Sequence, residues 1–205
     1  MTKDRIYAVD DTGDKPFRFD ESVARVFPDM LRRSIPGYAA SLEAISSLAA
    51  RYVTPATNCY DLGCSLGAAT LAMRQGIRVP DCRLIAIDSA PAMIEHCKSI
   101  FADDDGITVQ STPVEIVLAD VRDVEISNAS MVVMNYTLQF LDIECRDAMV
   151  ARICNGLLPG GLFILSEKVV DADPNMEELL VDLHYEHKRR NSSSELAISR
   201  KRSAL

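Results

Sequence analysis

The chain has 205 residues, of which 48% are hydrophobic and 25% are charged, as in an ordinary globular domain with a full core. Its formal net charge of −8 argues against direct binding of nucleic acid, because Lys and Arg side chains that neutralise phosphates supply most of that affinity. No apolar run approaches the ~20 residues of a membrane span, and the amino terminus lacks the apolar stretch of a secretory signal. We therefore expect one cytoplasmic domain, over residues 19–205, after a flexible segment over residues 1–18.

The first part of this domain, residues 19–53, is predicted to be a helical extension. Short helices should break at Pro28 and at Pro36, because proline lacks a backbone donor and clashes with the preceding turn. Apolar side chains at helical spacing then predict a longer helix over residues 41–52.

Beyond residue 54, short apolar runs alternate with helical stretches. The predicted strands cover residues 58–62, 83–87, 114–118, 130–134 and 162–166, and the predicted helices cover residues 68–75, 91–101, 143–158 and 175–190. Pro159, Gly160 and Gly161 should end the third of these helices. This alternation predicts a doubly wound α/β fold, whose mainly parallel sheet is covered by helices on both faces.

Polar residues end or follow several of the predicted strands. In an open parallel sheet, ligands bind beyond the carboxyl ends of the strands, near the point where the strand order reverses. The polar residues at these ends are Asp61, Asp88, Asp120 and Asn135. We expect a binding site there, although exposed acids around a purely structural turn would produce a similar pattern.

The loop after the first strand, residues 61–67, has the pattern D-x-G-x-S-x-G. Gly63 should allow a tight turn, and Gly67 should let the next helix pack closely on the strand. Ser65 replaces the glycine that lets the backbone approach a pyrophosphate, which argues against a dinucleotide. Asp88 follows about 20 positions after the loop, where an acid can accept hydrogen bonds from ribose hydroxyls. The pattern therefore favours a nucleoside ligand without a phosphate.

Metal and disulfide sites are not expected. The six cysteines form no C-x-x-C pair and lie mostly in apolar runs, as reduced buried cysteines do. His184, Glu186 and His187 lie close together on a predicted helix, but no distant residue completes a ligand set. Basic residues at 188–190 and 200–202 are typical of solvated helix faces.

Beyond these patterns, several segments resemble the carboxy-S-adenosyl-L-methionine synthase family, a branch of the class I methyltransferase-like proteins. The segments are residues 26–30, 33–38, 60–70, 86–95, 128–141, 165–168 and 194–203. The resemblance extends from about residue 19 to the last residue. It implies a Rossmann-like topology whose sheet continues with two further strands, which lie beyond residue 205.

The resemblance implies that S-adenosyl-L-methionine and prephenate are converted to carboxy-S-adenosyl-L-methionine and phenylpyruvate. The product would serve formation of 5-oxyacetyl uridine at the wobble position of transfer RNA, without direct contact between this chain and the RNA. The residues implied to bind the nucleoside are Tyr38, Gly63, Cys64, Ser65, Asp88, Ser89, Asp120, Val121 and Asn135. The chain would be a homodimer without a metal, and Arg202 would reach the added carboxylate across the dimer interface.

The role of Arg202 distinguishes carboxyl chemistry from methyl transfer. A guanidinium beside the methyl group of a sulfonium would be repelled, whereas a carboxylated sulfonium offers an anion that Arg can hold with two charge-assisted hydrogen bonds. No protein base is assigned, and the prephenate hydroxyl is one candidate for that role. Two alternatives remain: an ordinary methyltransferase acting on a small molecule or RNA, and a noncatalytic nucleoside-binding partner of a modification complex.

Overall fold

The computed structural model describes residues 18–102 and 112–191, and these belong to two compact units. One unit covers residues 40–168, and the other covers residues 1–39 and 169–205. The helices are α1 (Glu21–Ala24), α2 (Phe27–Ser34), α3 (Tyr38–Tyr52), α4 (Ala68–Gly76), α5 (Pro91–Ala102), α6 (Ile143–Gly156) and α7 (Pro174–Arg190). The strands are β1 (Asn58–Leu62), β2 (Arg83–Asp88), β3 (Val114–Leu118), β4 (Ala129–Asn135) and β5 (Leu157–Ser166).

The unit formed by residues 40–168 is built on a single five-stranded sheet. Its strand order is β3-β2-β1-β4-β5, and every neighbouring pair is parallel. The predicted doubly wound parallel sheet is thereby confirmed. The order reverses between β1 and β4, so the crevice at the carboxyl ends of these two strands is the expected place for a ligand.

Each face of the sheet has its own apolar core, because successive side chains of a strand point to opposite faces. In β4, Met131 and Val133 pack with side chains of α3 and α4. Val132 and Met134 pack on the other face, with Met149 and Ile153 among their neighbours. Burial on both faces explains why the sequence of this strand is continuously apolar.

The predicted boundary between α6 and β5 is wrong. The helix ends at Gly156 and the strand begins at Leu157, so residues 159–161 lie inside the strand instead of stopping the helix. The pairing of β4 with β5 is irregular between Ala129 and Met131. Since β5 lies at the edge of the sheet formed by the described residues, a proline and a bulge in it interrupt no described ladder on its outer side.

The first helices also begin at positions other than those expected. Pro28 does not break a helix but lies in the first turn of α2, where the missing backbone donor would have no partner in any case. Pro36 does separate two helices, since α2 ends at Ser34 and Ile35 is extended. The following helix begins at Tyr38, three residues before the predicted start.

The other unit contains α1, α2 and α7 among its described residues. The buried Asp29 pairs with Arg33 at 3.3 Å, and the Arg33 Nε donates to the backbone oxygen of Asn191 at 2.6 Å. His184 Nε2 lies 2.9 Å from the backbone oxygen of Ser34. These contacts hold α2 against the end of α7. The predicted flexible segment lies almost entirely outside the described residues, and the predicted domain boundaries stay a prediction.

Candidate functional site

The loop after β1 joins the ends of three strands. The backbone N–H groups of Gly63 and Cys64 both donate to the oxygen of Ile87 at 2.8 Å, which ties β1 to the end of β2. Gly63 has a φ of +82°, and a Cβ placed on it would lie 2.3 Å from Cγ2 and Oγ1 of Thr137. A side chain at position 63 would therefore collide with the segment that follows β4.

Gly67 also has a positive φ, of +83°, but its role differs from the expected one. A Cβ at this position would lie 2.6 Å from Cε2 of Phe101 and 2.9 Å from Sγ of Cys97. Both residues belong to α5. The glycine thus permits close packing between two helices, rather than the predicted contact of one helix with its strand.

Asp88, at the end of β2, is bonded directly to the glycine loop. Its Oδ2 accepts from the backbone N–H of Ser65 at 2.9 Å, and its Oδ1 accepts from that of Ala90 at 2.8 Å. Burial raises the pKa of Asp88, and these backbone donors oppose that shift. A carboxylate has about four acceptor positions, so the two oxygens retain capacity for a further donor. Ser89 is exposed beside it.

Asp61 does not present its carboxylate to a ligand, in contrast to the expectation for a strand end. It is fully buried, and its Oδ2 accepts from Oγ1 of Thr70 in α4 at 2.5 Å. Burial raises the pKa of Asp61 to about 6, against the effect of the bonds from Thr70. Asp61 therefore fixes the start of α4 relative to β1.

The raised pKa of Asp61 predicts a pH-dependent stability. The folded state keeps the proton up to about pH 6, whereas the unfolded chain loses it near pH 4. The proton on Asp61 stabilises the folded state by about 3 kcal/mol below about pH 4. This stabilisation is lost as the pH rises through about 6. We expect Asp61→Asn to gain stability relative to the parent over this window, as measured by chemical unfolding at a series of pH values. Asp123→Asn, at an exposed position, supplies the baseline, and a parent–D61N difference that is constant with pH would contradict the prediction.

Asp120 and Val121 follow β3, next to Asp88. The backbone N–H of Ala119 donates to the oxygen of Asp88 at 3.0 Å. Both carboxylate oxygens of Asp120 bind the Arg122 guanidinium, at 3.0 and 2.7 Å, and this pairing lowers the pKa of Asp120. Val121 is buried in the core. Asp120 is therefore held in place by a neighbour, and it lies on the β3 side of the candidate site.

Asn135 ends β4, and its Oδ1 is buried without a hydrogen-bond partner among the described residues. An unpaired buried acceptor is unfavourable by about 1–3 kcal/mol, and this one lies at the end of β4, beside the reversal of strand order. Oε2 of Glu167 is the other atom of this kind in the described part of the chain. Glu167 directly follows β5, so the rule that selected the other polar strand ends could have found it.

The remaining predicted site residues are placed as follows. Cys64 is buried against Cys97 and Ile94, so it can offer a ligand only its backbone. The hydrogen bond of its thiol with Cys97, together with burial, raises the pKa of Cys64. Tyr38 is the first residue of α3. Arg202 lies outside the described residues. The structure thus brings the glycine loop, Asp88, Ser89, Asp120, Val121 and Asn135 together at one edge of the sheet.

Three further features concern the cysteines, metal binding and membrane-spanning helices. All six cysteines are free. Over residues 18–102 and 112–191, no group of three or more His, Cys, Asp or Glu side chains is arranged to hold a metal ion. Within the same ranges, no helix has the length and apolar character needed to cross a membrane.

Comparison with known proteins shows the family to which this chain belongs. Residues 60–161 match the model of a methyltransferase domain family. The carboxy-S-adenosyl-L-methionine synthase of Vibrio campbellii is 54% identical over 200 residues, which cover 96% of this chain and 78% of the relative. That of Trichlorobacter lovleyi is 50% identical over 207 residues, which cover 100% of this chain and 84% of the relative.

Solved structures show the same fold at lower identity. A Methanococcus maripaludis protein, assigned to the S-adenosyl-L-methionine-dependent methyltransferases, superposes with a TM-score of 0.56 at 20% identity and covers 94% of this chain and 86% of its own. A cyclopropane synthase of Mycobacterium tuberculosis gives 0.53 at 13% identity, with coverages of 76% and 60%. The predicted class I methyltransferase fold is confirmed.

Proposed function

Since this chain belongs to the carboxy-S-adenosyl-L-methionine synthase family of transferases, we propose that it converts S-adenosyl-L-methionine and prephenate to carboxy-S-adenosyl-L-methionine and phenylpyruvate. The observation that carries the proposal is the identity of 54% with such a synthase over 96% of the chain. We further propose that the product supplies 5-oxyacetyl uridine formation at the wobble position of transfer RNA. The chain would act as a cytoplasmic homodimer that does not itself bind the RNA.

The site geometry supports a nucleoside substrate. Asp88 would accept hydrogen bonds from the ribose hydroxyls, because both of its oxygens are already oriented by backbone donors. The unpaired Oδ1 of Asn135 would accept a donor of the same ligand. The strand order places Asp88 on one side of β1 and Asn135 on the other, so a ligand bridging them lies across the glycine loop.

The remaining residues would complete the nucleoside site and recognise the added group. Cys64 and Ser65 would contribute backbone atoms, while Tyr38, Ser89, Asp120 and Val121 would contact the nucleoside. Arg202 would bind the new carboxylate, which is the anion that an ordinary methyl group lacks. We propose that it does so across the dimer interface.

The proposed chemistry replaces one hydrogen of the sulfonium methyl group with a carboxyl group. The positive sulfur stabilises the carbanion that forms when the methyl C–H bond breaks. Prephenate loses its ring carboxyl group and its hydroxyl group, and the electron pair of the broken C–C bond completes an aromatic ring. Aromatisation drives the reaction, and the methyl carbon captures the carboxyl unit.

Isotope labelling tests this proposal directly. The chain is incubated with S-adenosyl-L-methionine and prephenate that carries ¹³C in its ring carboxylate, and the products are analysed by mass spectrometry. We expect a nucleoside heavier than the substrate by one labelled carboxyl unit, together with unlabelled phenylpyruvate. An unlabelled product would contradict prephenate as the donor. S-adenosylhomocysteine, formed with a methyl acceptor and without any carboxylated product, would instead indicate an ordinary methyltransferase.

A further inference from the structure

Glu167 differs from the other carboxylates near the carboxyl ends of the strands. The carboxylates of the other three have hydrogen-bond partners within the protein: Asp61 with Thr70, Asp88 with backbone donors, and Asp120 with Arg122. One oxygen of Glu167, Oε2, is shielded from solvent and has no partner among the described residues. A buried carboxylate oxygen in this condition is unfavourable unless a proton or a ligand donor reaches it.

The strand register places Glu167 beside Asn135. Asn135 of β4 is paired with Ser166 of β5, and the backbone N–H of Tyr136 donates to the oxygen of Ser166 at 2.8 Å. Glu167 is the next residue along the chain. It therefore lies on the β4–β5 side of the candidate site, whereas Asp88 lies on the β2 side. The β4–β5 side is where the part of the ligand remote from the ribose should lie.

The other oxygen of Glu167 is fixed to the backbone. Oε1 accepts from the backbone N–H of Gln139 at 3.3 Å. Gln139 lies in a short 3-10 helix over residues 138–140, so the Glu167 carboxylate is tied to the segment that follows β4. One oxygen is thus anchored while the other is left open, which orients a proton acceptor before the substrate binds.

Among the described residues, Arg146 and Tyr136 are the charged and titratable groups that interact with Glu167. Burial raises the pKa of Glu167, and the backbone donors and the positive charge of Arg146 oppose this shift. Burial raises the pKa of Tyr136 as well, and the charge of Glu167 adds to that shift. A carboxyl group whose pKa is raised towards neutrality exchanges protons more readily at physiological pH.

We propose that Glu167 is a catalytic residue that carries a proton from the sulfonium methyl group of S-adenosyl-L-methionine to the hydroxyl group that leaves prephenate. The inference rests on the proposed function, because that reaction has to remove one proton and release one hydroxyl group. The backbone of Gln139 would hold the carboxylate in position, and Oε2 would be the atom that takes up and gives back the proton.

The proton transfer balances over one turnover. Oε2 of Glu167 accepts the methyl proton, and the electron pair of the methyl C–H bond forms the new bond to the carboxyl carbon. The electron pair of the donor's C–C bond enters the ring, and the hydroxyl group leaves with its own bonding pair. The proton then passes from Glu167 to the departing oxygen, which leaves as water. Glu167 returns to its ionised state, and no oxidant or reductant is needed.

The Glu167→Gln variant separates this role from the structural one. Glutamine retains an oxygen that can accept from the backbone of Gln139, but its amide group cannot take up a proton at the position of Oε2. We expect carboxylated product formation, followed by mass spectrometry under saturating substrates, to fall roughly 10²–10⁴-fold. Affinity for S-adenosyl-L-methionine and the thermal unfolding midpoint should be unchanged. Deuterium in the methyl group should slow the variant further, because proton removal then limits its rate. Glu115→Gln, at an exposed ion pair with Arg83, is the matched control and should retain the parent activity.

The possible outcomes separate the inference from the proposed function. If the parent forms product and E167Q forms it at the same rate, Glu167 only anchors the backbone and the inference is overturned. The same holds if E167Q loses stability or substrate affinity in proportion to its activity. A parent chain that binds S-adenosyl-L-methionine but forms no carboxylated product overturns the proposed function, and the proton transfer through Glu167 with it.

Discussion

Replacement of Gly63 with Ala is expected to lower the free energy of unfolding by about 2–4 kcal/mol. The position has a φ of +82°, and the new Cβ would lie 2.3 Å from the side chain of Thr137. The loop or the segment after β4 would have to shift to relieve this contact. Because Gly63 also lies in the candidate nucleoside site, we expect such a shift to reduce product formation roughly 100-fold. Chemical unfolding and the product assay measure the two effects.

Two further variants separate the collision from the backbone strain. Gly160 has the same φ of +82°, but nothing lies within 4 Å of a Cβ placed there. Gly160→Ala should therefore show only the strain of a left-handed alanine, about 1 kcal/mol. Thr137→Ala removes the two nearest atoms, so the G63A/T137A double variant should be less destabilised than the sum of the single variants. Equal destabilisation of G63A and G160A would contradict a collision at Thr137.

Exchange of Arg202 for Leu is expected to weaken binding of the carboxylated product by about 2–4 kcal/mol, or roughly 30- to 1000-fold. The reason is that the added carboxylate would lose its charge-assisted partner. Binding of S-adenosyl-L-methionine should change little, since the methyl group has no charge for Arg202 to recognise. Calorimetric titration with each nucleoside measures the two affinities.

The neighbouring Arg200 provides the control for charge. Arg200→Leu removes the same charge from the same basic run, and we expect both nucleosides to bind it with the parent affinities. If R202L loses the same binding affinity for both nucleosides, Arg202 does not recognise the carboxylate. If R200L and R202L lose the preference for the carboxylated nucleoside to the same extent, the effect comes from positive charge in general.

Some features of the candidate site were expected from local requirements. Gly63 was expected to allow a tight turn, and its positive φ is observed. Asp88 was identified because a polar residue that ends an apolar strand must lie at the sheet edge, and the structure joins it to Ser65. Each of these features depends on a few neighbouring residues, which a single sequence displays directly.

The orientation and pairing of the side chains were not predictable in this way. Asp61 and Glu167 both belong to strand ends, but Asp61 is bonded to Thr70, while Glu167 keeps one oxygen without a partner. The expected contact of Gly67 was also wrong, because its neighbours Cys97 and Phe101 come from a later helix. Nothing in the local pattern distinguishes an acid that bonds to a neighbouring helix from one that keeps an oxygen without a partner.

The sequence by itself indicated the five strands, apart from the start of β5, together with the glycine loop and the family. Strand burial and the special backbone angles of glycine leave a periodic and compositional pattern along the chain. Only the tertiary structure decided which polar groups are bonded and which lack a partner among the described residues. The reason is that their partners are distant in sequence: Gly63 meets Thr137, 74 positions away, only because the strand order places β1 beside β4.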